Sequence, residues 1–150
     1  MNLVRPFQCK LKNIQRLLLL LFAVSALQSC QVTLVASQDV QLIEQIDAVS
    51  KEIDSFYLHM LEMAPVAYSV YADRYIEIEV ALNSIYDRSR LKPKNTETAR
   101  IAKNVRDTWA KYKSEHKTAG QLTAGVITYN HATMDDFLFA LSVAENAKPK

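Results

Sequence analysis

The chain is predicted to fold as an all-α protein, an antiparallel four-helix bundle, and three observations predict it. Only two glycines, Gly120 and Gly125, and three prolines beyond residue 30 interrupt it, so the strongest breakers cut the chain at few places. Between the breaks, apolar residues recur at three- and four-residue spacing, the period of a helix with one buried face. Beyond residue 38 no segment alternates with the period of two that a half-buried strand requires.

The first helix is expected from Asp39 to about Met63, with Ile43, Ile46, Ile53, Phe56, Tyr57, Met60 and Leu61 inward and Ser37 or Asp39 as its cap. Pro65 should end it, because proline lacks the amide proton and disfavours helical backbone in the residue before it. A second helix follows from about Val66 to Arg90. Its stripe is Tyr71, Tyr75, Ile78, Leu82 and Ile85, flanked by Val70, Ile76 and Val80, a face wide enough for two neighbours. Pro93-Lys94-Asn95-Thr96 reads as a turn with an N-cap in Asn95 or Thr96. The third helix then runs to about Lys117 with Ile101, Val105, Trp109 and Tyr112 inward, and Gly120 stops it. The last helix, from about Gln121 to Asn146, presents Leu122, Val126, Tyr129, Thr133, Phe137, Ala140 and Ala144 on one line, with Ile127, Met134, Leu138 and Leu141 beside it. Short links between four amphipathic helices favour antiparallel neighbours.

The N-terminus is organised differently. Residues 1 to 16 carry Arg5, Lys10, Lys12 and Arg16 without an acid, and Leu17 to Leu27 is apolar apart from Ser25. This order is that of an export signal. It ends in Leu27-Gln28-Ser29-Cys30, a small residue before a cysteine with leucine three places before it. The four residues resemble the lipobox of bacterial lipoproteins. The resemblance implies a signal peptide over residues 1–29, a lipid on the thiol of Cys30 that holds the mature chain on a membrane, a tether over 30–38 and a helical domain over 39–147. Gln31 after the cysteine, rather than Asp, is similar to lipoproteins sent to the outer membrane where the host has one. Two further readings of the segment are a retained anchor over Leu17 to Ala36 and a cut after Ser37. All three place the domain outside the cytoplasm, and the lipoprotein reading has it facing the periplasm.

Loss of residues 1–29 removes four bases and no acid. Lys plus Arg falls from 18 to 14 against 16 acids, so the mature chain carries a net charge near −2. A weakly acidic domain gives no support for nucleic-acid binding, which needs a basic face. Cys9 leaves with the signal and Cys30 is acylated, so no pair remains for a disulfide.

Candidate chemistry is sparse. His59, His116 and His131 lack the spacing of a zinc-protease or di-iron motif. His59 with Glu62 and His131 with Asp135 have helical spacing suited to surface pairs, and would be the ligands if the domain bound a metal. A partial positive charge on His116 would suit the end of the third helix. No nucleophile elbow, reactive cysteine or phosphate loop appears, so the expectation is a non-catalytic protein without cofactor or metal.

Two features suggest a contact surface. Tyr68, Tyr71 and Tyr75 follow helical spacing, and could offer an aromatic groove or, in the ordinary reading of such a stripe, pack in the core. Arg88, Arg90, Lys92, Lys94, Arg100, Lys103 and Arg106 form a basic stretch against Glu97, while the first helix is acidic. That corner could meet anionic lipid or an acidic partner, or its charges could fix the pairing of neighbouring helices. At the level of fold the whole resembles small helical pilotin lipoproteins, which implies an adaptor that binds another envelope component. A ligand-binding or metal-binding domain, and an immunity or exclusion lipoprotein, are the alternatives.

Overall fold

The structure is a computed structural model of the chain that describes residues 34–150, and Val35 to Lys150 form one compact unit. Its elements are α1 (Val40–Glu62), β1 (Val66–Ala67), α2 (Tyr68–Leu91), α3 (Thr96–Ala119), β2 (Gln121–Leu122) and α4 (Ala124–Asn146). Each helix packs on two others in the ring α1, α2, α3, α4 and back to α1. This is the expected all-α four-helix bundle. The two-residue strands were not anticipated. They pair antiparallel, Val66 opposite Leu122 and Ala67 opposite Gln121, and join the two links at one end of the bundle.

The second helix follows its sequence pattern: Tyr71, Tyr75, Ile78, Leu82 and Ile85 are all buried. The flanking Val70, Ile76 and Val80 are exposed, so the face is narrower than expected. In α3, Val105, Trp109 and Tyr112 are inward, with Ala102 buried where Ile101 was expected. The fourth helix departs most. Its buried line is Ile127, Asn130, Met134, Leu138, Leu141 and Glu145, whereas Val126 and Tyr129 face solvent. Because α4 carries apolar residues on nearly every side, the period alone does not select the inward one.

Aromatic rings fill the centre. The Phe56 ring meets Tyr57, Tyr71, Tyr75 and Trp109 edge to face at centroid distances of 5.2, 5.4, 4.8 and 5.1 Å. Such geometry suits the ring quadrupoles.

Asp39 is the N-cap of α1, its Oδ1 accepting from the Leu42 N–H at 3.2 Å. Asn95 precedes α3, but its side chain makes no cap bond there. Instead its Nδ2 donates to the Ser89 carbonyl at 2.8 Å, satisfying one of the carbonyls left open at the end of α2. Gly120, at φ 76°, closes α3 in a conformation that favours glycine.

The packed region extends past residues 39–147 on both sides. Ala36 is buried, its N–H donates to the Lys94 carbonyl at 3.1 Å, and the Gln38 N–H donates to the Pro149 carbonyl at 2.7 Å. Val35 to Gln38, four residues of the segment read from the sequence as the tether, fall within the compact unit.

Candidate functional site

The tyrosine stripe lies in the core. Tyr75 is fully buried and Tyr71 is 8% exposed, which corrects their assignment to a partner surface. Tyr68 is half-buried and stacks on Tyr75 at 5.8 Å. Three-residue spacing on a helix marks a common face, and here that face turns inward because Phe56 and Trp109 fill the space opposite.

Tyr75 also takes part in a buried hydrogen-bonded chain. His116 Nε2 lies 3.0 Å from the Val66 carbonyl and Nδ1 lies 3.2 Å from the Tyr75 hydroxyl. A carbonyl only accepts, so Nε2 carries the proton and Nδ1 accepts from Tyr75. Trp109 Nε1 donates to the Tyr75 carbonyl at 3.1 Å. Burial pushes the His116 pKa below its ordinary value, against the opposing effect of its bond to Val66. His116 is thus a neutral residue that joins α2, α3 and β1, which corrects its reading as a positive charge at the end of a helix.

The basic corner is largely matched by acids. Arg88 makes a two-point ion pair with Asp39 at 2.8 and 2.9 Å. That guanidinium, ahead of the opposing effect of burial, holds the Asp39 carboxyl below the usual carboxylate range. Arg90 pairs with Asp87 at 2.7 Å, Arg100 with Glu97 at 2.9 Å, and Lys103 and Arg106 both with Asp107 at 2.5 and 2.7 Å. Arg106 also lies 4.2 Å from the Tyr86 ring centre. Asp87 and Asp107 stand just outside the basic stretch, so counting within it overstated the free charge.

A different surface emerges between α1 and α4. A groove of about 500 Å³ is lined by Ile43, Asp47, Ser50, Asp135, Leu138 and Phe139, among others. Phe139 stands at its edge with 72% of its surface exposed. The α4 segment Ala124–Asn146 contains three acids and no Lys or Arg. At one end of this face, His131 Nε2 lies 2.8 Å from Asp54 Oδ1 and 3.5 Å from Asp135 Oδ2. One donor atom from each of the three falls within 4.8 Å of the others, a set that could hold a divalent ion. The His131 ring is fixed by stacking on the buried Tyr57 at 5.4 Å. The i to i+4 spacing pointed to Asp135. Asp54 is 77 residues from His131 and had no signal in the sequence. His59 is exposed on α1 and is not part of this set.

Cys30 and the segment 1–29, read from the sequence as a signal, lie outside the described residues. None of the described helices is long and apolar enough to cross a membrane. No family model matches the chain, and no curated protein or solved structure matches it either.

Proposed function

We propose that the protein is a membrane-anchored envelope lipoprotein, a non-catalytic helical bundle that binds another envelope component as an adaptor or pilotin-like carrier. The observation that carries this reading is the order Leu27-Gln28-Ser29-Cys30 followed within six residues by a packed domain. A lipid on Cys30 would keep such a domain beside its membrane. The surface that best suits a partner is the α1/α4 groove with the exposed Phe139, since large apolar side chains grouped on a surface mark contact sites. It replaces Tyr71 and Tyr75, which are enclosed. The test is a photo-crosslinker placed at Phe139 and at Asn83 in cells. Recovery of one envelope protein from position 139, absent from position 83, supports the adaptor. Equal recovery from both, or none, contradicts it.

A metal-binding function is the second reading, and the Asp54, His131, Asp135 set favours it over the His59 and Glu62 pair. One imidazole and two carboxylates suit a first-row divalent ion such as zinc.

A further inference from the structure

Helix α4 is apolar on two sides. Its inner line packs in the core, yet Val126, Tyr129, Phe139 and Val143 are exposed, and the only charged residues exposed on this helix are Asp135 and Asp136. A helix on the outside of a bundle normally turns a charged face to water, and one that is apolar all round is normally covered. On the side toward α1, Phe139 shares the groove with Ile43, and the lining lies between Ile43 and Ser50 and between Asp135 and Ser142. That is about two turns of each helix, or roughly 10 Å.

The charge around this groove has one sign. Helices α1 and α4 together contain eight acids and, apart from Lys51, no Lys or Arg, whereas α3 alone carries six bases. Most of the eight have partners: Asp47 has Lys51, Glu52 has Arg74, Glu145 has Lys148, and Asp54 and Asp135 share His131. Glu44 and Asp136 make no ion pair among the described residues. Three carboxylates, Glu44, Asp47 and Asp135, line the groove, and no base lines it. The Lys51–Asp47 pair is exposed on both sides, and exposed pairs contribute little, so an incoming base can take the place of Lys51.

We propose that the groove takes a cationic amphipathic helix of the envelope partner, its apolar stripe on Ile43, Leu138 and Phe139 and its Lys or Arg side chains on Glu44, Asp47 and Asp135. A trough between two helices fits the stripe that such a segment presents at i, i+3 and i+4. The carboxylates select the sign of the partner, because like charges set opposite one another reject an acidic segment. A second copy meeting the groove through the same face would set these acids against themselves. The inference rests on the adaptor reading and adds to it the chemistry of the partner.

The probes are two dye-labelled amphipathic peptides of one length and one leucine spacing, with lysines on the polar face of the first and glutamates on that of the second. Fluorescence anisotropy reads their binding to the full protein in phosphatidylcholine nanodiscs, with empty nanodiscs as the blank. The lysine peptide should bind at least about tenfold more tightly than the glutamate peptide, and more weakly as salt is raised. Glu44→Lys with Asp47→Lys, and separately Phe139→Ala, should each weaken it about tenfold, while Asp73→Lys with Glu77→Lys on the exposed side of α2 leaves it unchanged. Buried Trp109 fluorescence checks that the variants are folded. No binding of the lysine peptide, equal binding of both peptides, or equal effects of the two charge reversals overturns the inference. A partner captured in cells from position 139 alongside any of these results leaves the adaptor reading in place. A crosslink from position 139 to a second copy of the chain, or to no protein, overturns the adaptor reading and this inference with it.

Discussion

The backbone N–H of Asp39 donates to Glu145 Oε1 across 2.8 Å, joining the start of the first helix to the end of the last across 106 residues of sequence. Glu145 is fully buried, and its other oxygen accepts from Lys148 Nζ, which also reaches Asn95. Asp39 carries the helix cap and the Arg88 pair at once. One polar cluster thereby holds the incoming chain, the second link and the C-terminal tail at a single end. A buried carboxylate without these partners would be costly.

Asp39→Ala removes the cap and leaves Arg88 without its acid. Loss of the cap alone should cost about 1 kcal/mol, read by urea unfolding at neutral pH. The folded-state pKa of Asp39 is depressed, so its contribution is present above the ordinary value of 3.8 and is lost as pH falls through the folded value. The difference between wild type and Asp39→Ala should therefore shrink below that range. A difference that grows on acidification would contradict the pairing.

His116 gives a second pH dependence of the same sign. Its folded pKa lies below the ordinary 6.5, so the unfolded chain binds more protons and stability falls as pH drops below about 6.5. His116→Gln, which cannot titrate, should be less stable than wild type at pH 8 by roughly 1–3 kcal/mol, with a smaller loss between pH 7.5 and 5.5. Parallel pH profiles for the two proteins would remove His116 from the account.

The Tyr57 hydroxyl is buried and has no hydrogen-bond partner among the described residues. Burial, reinforced by Tyr75 and Tyr112, pushes its pKa far up. An unsatisfied buried donor costs about 1–3 kcal/mol, so Tyr57→Phe should raise stability by roughly 1 kcal/mol while the ring packing on Phe56 is kept. A destabilised variant in thermal or urea unfolding would reveal an essential partner for that hydroxyl.

If Asp54, His131 and Asp135 take a metal, zinc titration by calorimetry should show one site that His131→Ala and Asp54→Asn abolish and that His59→Ala retains. Binding unaffected by His131→Ala, or no heat at all, would remove the metal reading.

Much of the fold was legible and much of the surface was not. Pro65, Pro93 and Gly120 delimit four long segments, and the stripe from Tyr71 to Ile85 is buried as its spacing indicates, although Val70, Ile76 and Val80 on the same helix are exposed. In α4 the spacing selects the wrong side: Val126, Tyr129, Phe139 and Val143 stand outside while Asn130 and Glu145 lie inside. Glu145 can be buried there because the Asp39 N–H and Lys148 Nζ reach it from outside the helix, and no local pattern records this. The Asp54–His131 contact was hidden for the same reason. The basic stretch was visible, but Asp87 and Asp107, which pair with Arg90, Lys103 and Arg106, stand just outside it and were not counted with it.

The proposed membrane attachment depends on Cys30. The most direct measurement is the intact mass and N-terminal peptide of the protein isolated from membranes of the producing cell, compared with Cys30→Ala. The account predicts a chain that begins at Cys30 with diacylglycerol on its thiol, and an altered cell fraction for the variant. A chain that begins at Met1 or at Gln38 without lipid, distributed in the same way for both proteins, would contradict it.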